Sequence, residues 1–138
     1  MAVEAVYVLD SCAFVALMED EPGAKVVGDL LQEPTNRCLI HAVNACEVYY
    51  DLYRRANTKD AESLEEIFAG YGLLLLETLP PNLWRIAGQL KASWRRVSLA
   101  DCFALALAIR EGGTLVTSDH HELDPIARAG ICPIRFIR

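Results

Sequence analysis

Four acidic residues stand where a folded chain usually places apolar side chains or helix caps. Asp10 and Asp119 each follow a short apolar segment, and Asp101 lies at the start of the most apolar segment of the chain. Glu47 has apolar or aromatic neighbours about one helical turn away on both sides, which predicts that it lies on an apolar helical face. The question is whether these acids converge on one site.

Each acid also has an ordinary structural explanation, which the sequence leaves open. An Asp after a strand commonly caps the next helix, and Asp119 has the capping-box spacing to Glu122. Asp101 stands three residues after a serine, which is the same capping pattern. Glu47 can pair with a basic residue of its own helix, such as Arg54.

Taken together, the four acids favour a shared cation, because no comparable set of buried bases is available to neutralise them. Clustered carboxylates repel one another and their pKa values rise unless a divalent ion holds them ionised. Oxygen ligands favour hard ions, so Mg²⁺ or Mn²⁺ is expected, with open positions for phosphate oxygens. Such an ion generates a hydroxide nucleophile and stabilises charge on a phosphodiester, so the chemistry needs no catalytic His or Ser.

A zinc site is the weaker alternative for the same region. Three cysteines and two histidines adjoin the four acids, but zinc-ligand spacings are absent and a buried Cys is commonly a small hydrophobe. These neighbours are Cys12, Cys46, Cys102, His120 and His121.

The elements that must position these residues alternate between strands and helices along the chain. Apolar segments predict strands at residues 5–9, 37–40, 73–76, 114–117 and 134–137. Helices are predicted directly after residue 10 and at about residues 23–31, 42–56, 60–71, 81–94, 98–110 and 122–129. This alternation predicts an α/β fold whose parallel sheet is covered on both faces. Because such sheets bind ligands beyond the carboxyl ends of their strands, Asp10 and Asp119 should lie at the functional edge.

Length and composition predict one globular domain, residues 1–138. The chain has 138 residues, of which 53% are hydrophobic and 23% charged, without a linker or low-complexity tract. Five cysteines without a C-x-x-C pair indicate reduced thiols. The apolar run at residues 6–9 is too short for a signal peptide or a membrane span, so a cytoplasmic protein is expected.

The net charge of −6 is unusual for a nucleic-acid-binding domain. A bound cation would offset the clustered acids, and local basic patches can still follow a phosphate backbone. Arg95 and Arg96, shortly before Asp101, are candidates for steering RNA to the site, although a solvated helix end that complements the helix dipole is the favoured interpretation. Trp84 and Trp94 could stack on bases, but packing or a dimer interface is the favoured interpretation.

Four short blocks in this order resemble one known family. They are Val8-Leu9-Asp10-Ser11, Ala42-Val43-Asn44-Ala45-Cys46-Glu47-Val48, Ser98-Leu99-Ala100-Asp101 and Leu115-Val116-Thr117-Ser118-Asp119. With their spacing, they are similar to the blocks of PIN-domain ribonucleases of the VapC-like type, the toxins of type II toxin–antitoxin pairs. The resemblance covers essentially the whole chain.

The resemblance implies a three-layer α/β/α fold and a Mg²⁺- or Mn²⁺-dependent endoribonuclease. It also implies an RNA substrate, a homodimer and a small antitoxin partner. Carried over by position, the core metal-binding acids are Asp10, Glu47 and Asp101, and Asp119 completes the site. The supporting polar residues, which would orient carboxylates or bound water, are Ser11, Asn44 and Thr117.

Other functions remain open at this point. A non-catalytic PIN-like module could bind RNA or a protein, and a housekeeping nuclease could process RNA with the same site. A phosphotransfer domain similar to response regulators would also place acids at strand ends, but it needs a strand-end lysine late in the chain, which is not evident.

Overall fold

The computed structural model describes residues 5–138 around one five-stranded sheet. The strands are β1 (Ala5–Leu9), β2 (Asn36–His41), β3 (Leu74–Leu76), β4 (Thr114–Thr117) and β5 (Ile134–Phe136). Their order is β3-β2-β1-β4-β5, and every neighbouring pair is parallel. The predicted parallel α/β fold is therefore confirmed. The order differs from the 2-1-3-4-5 arrangement of response regulators, which argues against the phosphotransfer alternative.

Eight helices connect and cover these strands in the described part of the chain. They are α1 (Ser11–Met18), α2 (Ala24–Gln32), α3 (Ala42–Arg54), α4 (Thr58–Glu62), α5 (Leu64–Gly70), α6 (Pro81–Ser93), α7 (Leu99–Glu111) and α8 (His120–Arg128). No helix within residues 5–138 is long and apolar enough to cross a membrane.

The single helix predicted at residues 60–71 is wrong. The Asn57 side chain accepts a hydrogen bond from the Asp60 N–H and caps α4 upstream of the predicted start. Ser63, with φ −105° and ψ 16°, then leaves helical geometry and separates α4 from α5. The preceding helix α3 ends at Arg54, two residues before the prediction, because Ala56 turns the chain with a left-handed φ of 61°.

The sheet separates two hydrophobic cores, because successive strand residues point to opposite faces. Val116 of β4 packs in a cluster with residues of α1 to α5, whereas its neighbour Leu115 packs with α6, α7 and α8. The result is the expected three-layer α/β/α arrangement.

Helix α7 is the most deeply buried helix and fixes the position of Asp101 in its first turn. Gly112 ends α7 in a left-handed conformation with φ 64°. The next residue, Gly113, brings β4 close against β1, since a Cβ there would lie 2.7 Å from the Val6 carbonyl oxygen. Because α7 runs antiparallel to the strands, its first turn lies at the carboxyl edge of the sheet.

Candidate active site: a carboxylate cavity

A cavity of about 420 Å³ lies beyond the carboxyl ends of β1 and β4. All four predicted acids line it, together with a fifth, Glu122. We call it the acidic cavity, and its lining residues are Asp10, Ser11, Cys12, Glu47, Ser98, Asp101, Ser118, Asp119 and Glu122. The structure thus brings together acids that are up to 112 positions apart, from Asp10 to Glu122.

Asp10 is both a helix cap and a buried acid of this cavity. Its Oδ1 accepts hydrogen bonds from the Ala13 N–H at 3.0 Å and the Cys12 thiol at 3.1 Å, which caps α1. Burial raises the pKa of Asp10 to about 6, against the opposing hydrogen bonds from Thr117, Ala13 and Cys12. The charge of Asp119 adds to the rise.

Asp119 caps α8 in the same way. Its Oδ1 accepts from the Glu122 N–H at 3.1 Å, and its own N–H donates to the Thr117 hydroxyl at 3.0 Å. The Thr117 hydroxyl also hydrogen-bonds Asp10, so one buried side chain orients both strand-end acids. Capping and membership of the cavity are therefore compatible at both positions.

Asp101 has the predicted capping spacing to Ser98, but only half of the capping box forms. The Asp101 N–H donates to the Ser98 hydroxyl at 3.2 Å. The Ser98 N–H donates to Glu122 at 2.5 Å, so the Asp101 carboxylate is not used as a cap and lines the cavity. Burial, followed by the charge of Asp10 and a hydrogen bond with Glu122, raises the pKa of Asp101 to about 9.

Glu47 lines the mouth of the cavity and is held by α1. The Ser11 hydroxyl donates to its Oε1 at 3.1 Å. Partial burial raises the pKa of Glu47, the Ser11 hydrogen bond opposes this rise, and the charge of Glu122 adds to it. Glu47 is therefore electrostatically part of the same cluster.

The prediction that Glu47 lies on a buried apolar face is wrong. Its neighbour Cys46 is exposed, and so is Tyr50, with 51% of its surface accessible. The core face of α3 carries instead Asn44, Ala45, Val48 and Leu52. Tyr50, one helical turn after Glu47, suggests a core stripe in the sequence, but it faces solvent.

The alternative pairing of Glu47 with a basic residue of α3 is also absent. Arg54 contacts Asp51 at 2.7 Å and Arg55 contacts the same carboxylate at 2.9 Å. Glu47 therefore remains available to the cavity.

Glu122 is the site residue that sequence reasoning missed. Asp101, Asp119 and Glu122 each place one carboxylate oxygen within 4.8 Å of the other two. The sequence showed Glu122 only as a capping partner of Asp119. One feature of the sequence could have indicated Glu122: it is an acid in the first turn of a helix that begins at the functional edge of the sheet. Its contact with Ser98, however, depends on the fold.

The three predicted supporting residues divide into two groups. Ser11 and Thr117 contact the acids, as described above. Asn44 does not line the cavity: it is buried, and its Nδ2 donates to the Ala100 carbonyl at 3.4 Å. Asn44 therefore contacts the start of α7 and not a carboxylate.

The donor set of the acidic cavity fits a hard divalent cation. Within residues 5–138, none of the five acids forms an ion pair with Lys or Arg, so their charge is not balanced by the described side chains. The grouped ligands are carboxylates only, which favours Mg²⁺ or Mn²⁺ over zinc. In the same part of the chain, no cysteine or histidine belongs to such a group. Cys12 lines the cavity, but its thiol donates a hydrogen bond to Asp10 Oδ1 at 3.1 Å.

The two candidate RNA-binding arginines lie at a second cavity, of about 260 Å³. We call it the basic cavity, and its lining residues are Ser93, Trp94, Arg95, Arg96, Val97, His121, Glu122 and Pro125. Glu122 lines both cavities, so they are neighbours. Trp94 ends α6 as its cap residue and also packs partly against the core.

Fold and site together define a class: three-layer α/β/α domains with clustered carboxylates at the carboxyl edge of a parallel sheet. The sequence profile of the PIN domain matches residues 7–129. The chain therefore belongs to the PIN domain family, as its sequence blocks suggested. A comparison with curated protein sequences gives no match.

Solved structures with the same fold include toxin–antitoxin proteins. VapBC2 from Rickettsia felis, bound to a promoter DNA fragment, matches with a TM-score of 0.72 and 18% identity over 95% of this chain and 98% of that one. DNA-bound VapBC from Salmonella typhimurium gives 0.73 and 17% over 97% and 99%. VapC20 from Mycobacterium tuberculosis, a Sarcin-Ricin loop cleaving toxin, gives 0.67 and 13% over 86% and 94%. At these identities the likeness establishes the fold alone.

Proposed function

We propose that this protein is a Mg²⁺- or Mn²⁺-dependent endoribonuclease that hydrolyses RNA phosphodiester bonds at the acidic cavity. The observation that carries the proposal is the convergence of five carboxylates on one cavity without a neutralising Lys or Arg among the described residues. Membership of the PIN domain family supports it. A structural relative, VapC20, is described as a Sarcin-Ricin loop cleaving toxin.

The five acids would hold the cation directly or through its water, and three of them, Asp101, Asp119 and Glu122, place carboxylate oxygens within 4.8 Å of one another. When bound, a divalent ion neutralises the charge that develops on the phosphodiester and lowers the pKa of water at the site. The side chains of this protein position the carboxylates and determine how they bind protons.

Those side chains position the carboxylates before any ligand arrives. The Thr117 hydroxyl and the Ala13 N–H fix Asp10, and Ser11 fixes Glu47. Burial and the neighbouring carboxylates raise the pKa of Asp101, which favours a bound proton within this cluster in the metal-free protein. Protons and cations therefore compete for the cluster.

We further propose that residues 1–138 act as one cytosolic nuclease domain, the toxin of a toxin–antitoxin pair, and that it forms a homodimer. The structural relatives solved as VapBC assemblies support the antitoxin partner. Retention of all four family acids argues against the non-catalytic module. Growth arrest on expression, relieved by a short reading frame encoded beside the gene, distinguishes the toxin from a housekeeping nuclease.

The test of the nuclease is cleavage of structured and single-stranded RNAs by purified protein with Mg²⁺, Mn²⁺ or EDTA, beside Asp10→Asn. An Asn at position 10 still accepts the Ala13 N–H, so the cap on α1 is retained and the fold is preserved. We expect cation-dependent cleavage that this variant loses. A folded, antitoxin-free protein that cuts no RNA with either cation would contradict the proposal.

A further inference from the structure

The basic cavity opens directly beside the acidic cavity. The chain passes between them at Val97 and Ser98, which line the basic and the acidic cavity respectively. Glu122 forms a wall of both. A polymer that places one group in the acidic cavity can therefore reach the basic cavity with the next group.

The two arginines of the basic cavity are free to bind an anion. Both are exposed, and within residues 5–138 neither forms an ion pair. The loop that carries them is nevertheless fixed: the Lys91 ammonium donates to the carbonyls of Arg95 at 2.9 Å and Val97 at 2.7 Å. The two exposed cationic side chains therefore extend from a loop that Lys91 holds, next to acids that form no ion pair with Lys or Arg within residues 5–138.

The same cavity is lined by flat side chains. Trp94 lies on one side of it and the exposed His121 on another. Pro125 adds a rigid ring to the lining.

Of the two adjacent histidines, only His121 lines the basic cavity. The His120 ring stacks on Phe136 with centroids 4.0 Å apart, and its nitrogens contact Asp124 and the Arg138 carbonyl at 2.8 Å each. His120 therefore serves the packing of the C-terminal segment, whereas His121 is left at the cavity.

We propose that the basic cavity is a nucleotide subsite for single-stranded RNA, a proposal that rests on the nuclease function above. The base next to the scissile phosphate packs against Trp94 and His121, and its phosphate lies against Arg95 and Arg96. Unstacked bases of single strands are the ones that aromatic side chains can receive. The arginines offset the repulsion that the acids of the neighbouring cavity exert on the RNA backbone.

Binding without cleavage tests this subsite. In an Asp10→Asn background, we compare Arg95→Ala/Arg96→Ala with Arg128→Ala, an exposed arginine of α8 outside the cavity. The probes are fluorescein-labelled single-stranded RNAs of about ten nucleotides, read by fluorescence anisotropy over a salt series. We expect Kd to rise about tenfold and the salt slope to fall by about 1.4 for the double variant only.

Tryptophan fluorescence gives a second readout. Trp84 lies outside the cavity, so a Trp84→Phe background leaves Trp94 as the reporter. RNA should quench Trp94, and a single abasic position should remove this quenching in the parent protein. In the Arg95→Ala/Arg96→Ala protein, the Kd of the abasic RNA should exceed that of the intact RNA by less than about twofold. Without the two arginines, the base is no longer held against Trp94.

The outcomes separate the subsite from the nuclease. Unchanged Kd and salt slope in the double arginine variant, or no binding of any RNA, overturn the subsite. Acidic peptides that quench Trp94 while RNA does not also overturn it, and assign the cavity to a protein partner. If the arginine variant loses RNA but the wild-type protein cuts nothing with either cation, the nuclease proposal fails and the subsite survives.

Discussion

The acidic and basic cavities share Glu122 as a wall, yet they are built on opposite principles. The acids are buried or half-buried and held by helix-capping hydrogen bonds and by Ser11 and Thr117. The arginines are exposed side chains on a fixed loop. Carboxylates fixed by hydrogen bonds suit a small cation of demanding geometry, whereas exposed cationic side chains suit a flexible polyanion. The net charge of −6 alone does not show that the acids and the two arginines line separate cavities.

The largest expected difference between the cavities is in the rate of RNA cleavage. Asp101→Asn should lower the single-turnover rate at saturating RNA about a thousandfold, or about 4 kcal/mol, because the cation loses a buried ligand. Arg95→Ala/Arg96→Ala should act mainly on the RNA concentration needed for half-maximal rate. Equal rate losses at saturating RNA in the two proteins would contradict the division of roles.

The next effect concerns the metal-free protein as a function of pH. Folding raises the pKa of Asp10 to about 6 and that of Asp101 to about 9, so the folded state binds more protons than the unfolded state above pH 4. The stability they contribute is present at low pH and is lost as pH rises through these values. Urea unfolding in EDTA should show at least about 2 kcal/mol less stability at about pH 9 than at about pH 5.

Two additions sharpen that experiment. Saturating Mn²⁺ should reduce the loss at high pH, because the cation takes the place of the protons. Asp101→Asn should flatten the pH dependence without metal, since it removes the most strongly shifted carboxyl group. A wild-type protein whose stability rises steadily across the same pH range would refute the electrostatic description of the acidic cavity.

A smaller effect is expected at the shared wall. Glu122→Gln keeps an oxygen that accepts the Ser98 N–H, so its stability should stay within about 0.5 kcal/mol of the wild type. Glu122→Ala removes this acceptor and should cost about 1 kcal/mol. Both variants should bind Mn²⁺ several-fold more weakly, as measured by calorimetry. If Glu122→Gln alone retained full affinity, Glu122 would be structural only.

The smallest effect should be at the other pair of adjacent arginines. The Arg54 guanidinium is bound to Asp51 at 2.7 Å on the exposed side of α3. Arg54→Ala should change the Kd for single-stranded RNA less than about twofold and stability by less than about 1 kcal/mol. An RNA-binding loss as large as that of Arg95→Ala/Arg96→Ala would mean that general surface charge, and not the basic cavity, binds RNA.

The strand-end acids were predictable because their position follows from a local pattern and one rule of parallel sheets. An apolar segment followed by Asp10 or Asp119 is enough to place a carboxylate at the carboxyl edge. The boundaries of the five strands were predicted to within one residue for the same reason, since buried strands are continuous apolar runs. The three layers follow once strands alternate with helices.

Glu122 and the true setting of Glu47 were not predictable, because both depend on contacts between distant segments. Glu122 enters the site by accepting the N–H of Ser98, 24 positions away. Glu47 lies one helical turn before Tyr50, which faces solvent, and helical periodicity alone does not show this exposure. The break at Ser63 was likewise not predictable. The apolar pattern indicates one long helix, whereas Asn57 caps the short helix α4 and Ser63 separates α4 from α5.

The proposed function requires that the acidic cavity holds a divalent cation. The most direct measurement is the titration of metal-free protein with Mn²⁺ near neutral pH, followed by electron paramagnetic resonance of the free ion, for wild type, Asp101→Asn and the surface control Asp29→Asn. We predict at least one bound ion in the wild type and in Asp29→Asn, with affinity at least about tenfold weaker in Asp101→Asn. Equal affinity in all three proteins would contradict the account.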